Sequence, residues 1–151
     1  MNICIFVGAR PNFIKIAPIV RAIDKAKAEG KEIGSSLVYA GREDDPTLEP
    51  SLFDDLQIGR PDVCLGVDCV NLNELTGQVM SAFERYLQEH STDVVIVVDD
   101  LASTMAAAIV TKKQGILLAH LVAGTRSFDI SMPKEINRLV IDGLSDLLFT
   151  A

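Results

Sequence analysis

Ile3-Cys4-Ile5-Phe6-Val7-Gly8-Ala9-Arg10-Pro11-Asn12-Phe13-Ile14-Lys15 runs from an unbroken apolar segment, through a glycine, into a helical pattern. Five apolar residues in a row, three of them β-branched, read as a strand buried on both faces. Gly8 permits a close backbone turn. Pro11 suits a first helical position, where its missing N–H would have had no partner. Arg10 and Lys15 then set two cations beside a helix N-terminus, a place where anions are favoured.

The same alternation continues along the chain. The first helix is expected over Asn12 to Glu29, closed by Gly30, with a kink at Pro18. A second strand spans Leu37 to Ala40. The acidic, proline-bearing stretch Gly41 to Pro50 reads as a surface loop, followed by a short helix over Leu52 to Leu56. Val63 to Val67 reads as a short strand. Leu72, Leu75, Val79, Phe83 and Leu87 show helical spacing within Leu72 to Gln88. Val94 to Val98 is a continuous β-branched run, as a central parallel strand requires. Ser103 to Lys113 is a helix stopped at Gly115, with Lys112 and Lys113 at its negative end. Strand Ile116 to Val122, helix Lys134 to Leu144 and strand Leu147 to Thr150 complete the series. Strands alternating with helices in this order predict an α/β fold, a right-handed, doubly wound and mainly parallel sheet. No segment reads as an interdomain linker, so residues 1–151 are expected to form one domain.

Bulk properties narrow the function classes. The net charge of −7 argues against a general nucleic-acid binder and against an anionic membrane surface, though not against a local basic pocket. No apolar run is long enough to span a bilayer. No basic-then-apolar leader stands at the start. The 3 cysteines, Cys4, Cys64 and Cys69, are odd in number and lack metal-ligand spacing. A reducing cytoplasm is the expected setting. Neither a metal nor a cofactor is expected.

In an open α/β sheet, ligands bind beyond the carboxyl ends of the strands. That rule selects the loops Gly8 to Asn12, Gly41 to Asp45, Asp99 to Ser103 and Ala123 to Pro133. Arg10, Lys15, Asp100, Ser103, Thr104, Arg126 and Arg138 lie in or near them. Each has a plainer reading. Arg10, Lys15 and Arg138 could be solvated charges at helix ends. Asp100 could cap the helix entered at Ser103, with Asp99 solvated. Paired acids can also hold a divalent ion, but the first strand offers no acid to join them. His120, inside an apolar strand, reads as a hydrogen-bonded core histidine, and His90 as exposed.

Taken together, the opening run, Ser103-Thr104-Met105-Ala106-Ala107-Ala108, Ala119-His120 through Arg126-Ser127-Phe128-Asp129, and Met132-Pro133-Lys134-Glu135-Ile136-Asn137-Arg138 resemble the non-hydrolysing UDP-N-acetylglucosamine 2-epimerases. The similarity runs the length of the chain and is to that family's N-terminal domain. It implies a Rossmann-like unit, one half of a GT-B-type two-domain architecture, with a UDP-sugar held between the halves and a nucleotide-binding C-terminal domain absent here. A homodimer is also implied. The family reaction inverts C2 of the sugar by eliminating UDP and adding it back.

By resemblance Arg10, Lys15, Arg126 and Arg138 are substrate- or phosphate-binding positions, and Asp100 is a catalytic one. The departures are specific. Asp99 stands where the family has glycine. Val122 replaces the Glu of the family's Glu-Ala-Gly-Leu-Arg motif, and Thr125 its Leu. Lys134 replaces the first Glu of Pro-Glu-Glu-Ile-Asn-Arg. Gly41-Arg42-Glu43-Asp44-Asp45 replaces Gly-Gln-His-Tyr-Asp. Val cannot transfer a proton and Lys134 reverses a charge, so this chain is expected to be inactive by itself. The alternatives are a stand-alone, redesigned scaffold domain and a weak phosphate or sugar-nucleotide binding module. On the redesign reading, Val at position 122 adds strand propensity.

Overall fold

The computed structural model describes residues 1–150. Six strands form a single parallel sheet: β1 (Asn2–Val7), β2 (Gly34–Tyr39), β3 (Val63–Cys64), β4 (Val94–Val98), β5 (Leu117–Ala123) and β6 (Leu147–Thr150). Their spatial order is β3-β2-β1-β4-β5-β6, and every pairing is parallel. Five helices connect them: α1 (Arg10–Ala28), α2 (Pro50–Leu56), α3 (Leu72–Glu89), α4 (Ala102–Lys113) and α5 (Pro133–Leu144). This is the doubly wound, Rossmann-like arrangement. The sequence direction reverses between β1 and β4, and the crevice above that point is where such sheets hold ligands.

Alternation along β1 feeds two cores. Cys4 and Phe6 point to one face, where Phe83, Val79, Leu118 and Ile141 pack from α3, β5 and α5. Ile5 and Val7 point to the other, against Phe13 and Ile16 of α1 and Phe53 of α2. Phe13 meets Phe53 edge-on with centroids 5.2 Å apart. Each such fully buried side chain contributes about 1.5–3 kcal/mol of transfer free energy. Ala106, Ala107 and Ala108 are wholly buried, which lets α4 lie close on the sheet.

Boundaries differ from the sequence reading mainly at ends. Helix α1 begins at Arg10, because Ala9 is extended and Pro11 fits the first turn. Pro18 lies inside α1 without ending it. Strand β3 is shorter than the apolar run suggested, since Gly66 takes a left-handed turn. Cys4 is buried and behaves as a small core hydrophobe. None of the helices is long and apolar enough to cross a membrane among the described residues.

Candidate active site

The carboxyl ends of β1, β4 and β5 bring the site together. Leaving β4, the chain turns sharply at Asp99, whose φ is +65°. Aspartate tolerates this left-handed conformation better than most residues, and glycine better still. The turn therefore accounts for a glycine at that position in the resembled family. Asp99 is not solvated, contrary to the sequence reading. Its carboxylate accepts Lys15 Nζ at 2.6 Å and Asn12 Nδ2 at 2.9 Å. Asn12 in turn accepts the Gly8 N–H on its Oδ1 at 3.0 Å. A buried amide thus joins the β1 turn to the β4 turn. Two of the groups expected to bind an anion at the start of α1, Lys15 and the Gly8 N–H, already have partners. Arg10 is exposed on the first turn of α1.

Asp100 does not cap α4. The N-cap is Leu101, with no side-chain cap. Asp100 points instead toward α5, where Arg138 Nε donates to its Oδ2 at 2.8 Å. Lys134 Nζ approaches Oδ1 at 3.9 Å. Asn137 Nδ2 donates to the Asp100 carbonyl at 3.0 Å. The carboxylates of the two adjacent acids therefore diverge, Asp99 to α1 and Asp100 to α5, each held by its own partners.

Strand β5 carries a bulge between Leu121 and Ala123. Val122 sits there with φ +62°, a strained conformation for a β-branched residue. Strand propensity does not apply to such a backbone, so the gain expected from valine at this position is overturned. The bulge aims Val122 into a cavity of about 190 Å³ lined by Asp99, Asp100, His120, Val122, Thr125, Arg138 and Asp142. Sites of backbone strain cluster where function once fixed the geometry.

Under this cavity lies a charged network that the sequence reading did not find. Asp142 accepts His120 Nδ1 at 2.6 Å, Arg126 at 2.7 Å and the Gly124 N–H at 3.0 Å. Burial pushes the Asp142 carboxyl up, but the hydrogen bonds from Arg126, His120 and Gly124 outweigh it and hold it below the usual carboxylate range. Buried Glu135 accepts the Ser127 and Phe128 N–H groups and pairs with Arg138 at 3.3 Å. Burial opposes its ionisation too, and the same partners hold its carboxyl below the ordinary range. Glu135, Arg138 and Asp142 are spaced three and four apart, so they share one face of α5. That spacing was the available signal. Asn12 gave none, because its partner Asp99 is distant in sequence.

Of the positions singled out by sequence, Asp100 and Arg138 line this cavity, and Arg126 adjoins it through Asp142. Lys15 reaches its edge through Asp99. A second cleft, about 430 Å³, lies over Gly8 and Ser103 and is bounded by Tyr39, Gly41, Arg42 and Asp45. Gly8 lets α4 approach there: a Cβ would fall 2.1 Å from Ser103 Oγ and force that side chain to turn away.

The profile of the UDP-N-acetylglucosamine 2-epimerase family matches residues 25–151. The chain belongs to that family. A UDP-N-acetylglucosamine 2-epimerase homolog of Methanococcus maripaludis is 37% identical over 150 residues, 99% of this chain and 40% of the relative. A UDP-2,3-diacetamido-2,3-dideoxy-D-glucuronate 2-epimerase of Pseudomonas aeruginosa is 34% identical, over 99% of this chain and 41% of its own length. The solved structure of the Methanocaldococcus jannaschii UDP-GlcNAc 2-epimerase superposes with a TM-score of 0.88 at 33% identity, covering 99% of this chain and 39% of that one. The same enzyme has been solved in complex with UDP-GlcNAc and UDP. The chain thus spans about 40% of the length of the relatives it matches, their N-terminal part.

Proposed function

We propose that this chain forms one wall of a UDP-sugar 2-epimerase site and does not turn over substrate by itself. The observation that carries the reading is Asp100, gripped by Arg138 and Asn137 in the cavity wall, with Arg126 held on Asp142 of the same wall. A carboxylate so oriented can exchange a proton with a sugar carbon, and the flanking guanidinium groups can meet a departing diphosphate. The other requirements of C2 inversion are not met by these residues. Val122 offers no proton-transfer group, and Lys134 places a cation where the family carries an acid. Positioned acids and bases contribute about a hundredfold to ten-thousandfold each, so losing them should suppress turnover.

The uridine contacts would come from the part of the relatives outside the roughly 40% matched here. A homodimer and a cytoplasmic setting accompany this proposal, on the family resemblance and the free cysteines. A stand-alone scaffold redesigned for stability is the weaker alternative. Val122 favours the first reading: a stabilising redesign would avoid a β-branched residue in a left-handed bulge. Proton NMR of the purified chain with UDP-GlcNAc in deuterated water tests the proposal. No deuterium at C2 and no released UDP is the expected result. Turnover at the rate of a full-length relative would refute it.

A further inference from the structure

His120 joins two loops of the site and is itself absent from the proposed chemistry. It is buried in β5. Its Nδ1 lies 2.6 Å from Asp142 Oδ1, and its Nε2 lies 2.7 Å from the Asp99 carbonyl oxygen. A carbonyl oxygen can only accept, so Nε2 must carry a proton. The other partner is a carboxylate that also takes Arg126 and the Gly124 N–H. Those donors favour its ionised form, in which it too can only accept. Nδ1 must then carry a proton as well. A neutral imidazole has one N–H and could satisfy only one of these contacts.

We infer that His120 is held as an imidazolium, a charged strut whose two N–H groups tie the Asp99–Asp100 turn to α5 and thereby set where Asp100 stands in the cavity. The strut is a positioning device, because His120 reaches Asp100 only through the Asp99 backbone. The charged groups around the ring agree with it. Asp142 and Arg138 face it from α5, Arg126 from the β5–α5 loop, and Asp99 and Asp100 from the β4–α4 turn. Lys15 of α1 is spent on Asp99, Arg138 on Asp100 and Glu135, and Lys134 lies nearest Asp100. Asp142 therefore carries one negative charge between two cations, Arg126 and the ring. Without the ring proton on Nδ1, the short contact to Asp142 would set a lone pair against a carboxylate. The ring would then keep its bond to the Asp99 carbonyl but lose its hold on α5, and the tie between the turn and that helix would break.

The chain has only 2 histidines, so ¹⁵N spectra of the ring nitrogens can be read directly, with His90→Gln assigning the signals. At neutral pH both nitrogens of His120 should show the protonated, imidazolium-type shift and slowly exchanging N–H protons. Asp142→Asn keeps the shape and removes the charge. It should return the ring to one proton and move the backbone amide signals of Asp100 and Gly124. Lys134→Ala, which lies off the ring, should change neither ring nitrogen. A pyridine-type signal from either His120 nitrogen in the unsubstituted folded chain overturns the inference. So does an unchanged Asp100 amide when Asp142→Asn has removed the ring proton. The consequence for catalysis rests on the reading of the Asp100 cavity as a substrate wall, and a UDP-GlcNAc titration separates the two. A doubly protonated ring with no ligand-induced shift around Asp100 would sink that reading and leave the strut standing.

Discussion

Replacing Val122 separates a left-handed bulge from an ordinary strand position by a change of sign. In a regular strand, glycine is less stable than alanine by about 0.5–1 kcal/mol, because it loses more backbone entropy on folding. In the left-handed region an L-residue bears a steric cost of about 1–2 kcal/mol that glycine escapes. Val122 has φ +62°. At this position the two effects oppose, and Val122→Gly should exceed Val122→Ala in stability by up to about 1.5 kcal/mol. Both variants lose the same partly buried valine contacts, so the side-chain contribution cancels in the comparison, except for the alanine methyl. Val94 in β4 supplies the control, being partly buried in a strand without the bulge. There Val94→Ala should be the more stable of the pair by about 0.5–1 kcal/mol. Urea melts of the four variants decide it, with an inverted order at residue 122 alone as the expected result. If glycine is the less stable at both positions, Val122 is not held in the left-handed region and the strain argument fails.

Glu135→Gln should lower stability at neutral pH by removing the acceptor of two backbone N–H groups and the partner of Arg138. The Glu135 carboxyl is held below its ordinary range in the fold. Its stabilisation is therefore present above the unfolded value of about 4.3 and is lost as pH falls through the lower folded value. Melts of parent and variant should diverge at neutral pH and converge in acid; a constant gap would show that the charge is not involved. Asp99→Asn should strengthen weak phosphate binding around residues 10–15 by freeing Lys15 from its 2.6 Å partner. A surface charge at a helix N-terminus is worth about 0.3–1 kcal/mol, hence roughly a two- to fivefold tighter titration that fades with salt. Amide shifts would report it, and a response equal to or weaker than that of the parent would show that Lys15 is not the anion ligand.

How much of this was legible depended on whether the information was local. Val94 to Val98 could be read as a central strand because burial on both faces demands an unbroken apolar run. Asp100 and Arg138 could be expected near one another because strand ends meet in this sheet, and they pair at 2.8 Å. The residues that hold them were harder to see. Asn12 acts on Asp99 from the far end of the chain, and no sequence period records that contact. Glu135 and Asp142 flank Arg138 on one helical face, yet in sequence they look like any solvated acids of an amphipathic helix. Val122 was rightly placed in a strand, but one residue type cannot announce a left-handed backbone that disfavours it.

The left-handed backbone at Val122 is informative about how the site is braced. The bulge at Val122 and the left-handed turn at Asp99 are set by partners elsewhere: Gly124 and Arg126 on Asp142, His120 on the Asp99 carbonyl, Asn12 and Lys15 on the Asp99 carboxylate. A backbone held from so many sides survives substitution of the side chain it displays. On the proposed function, a proton-transferring group could give way to valine at position 122 without remodelling the cavity it faces. Catalytic groups are the replaceable part of such a site, and the buried acids that brace it are the part whose loss the fold would register first.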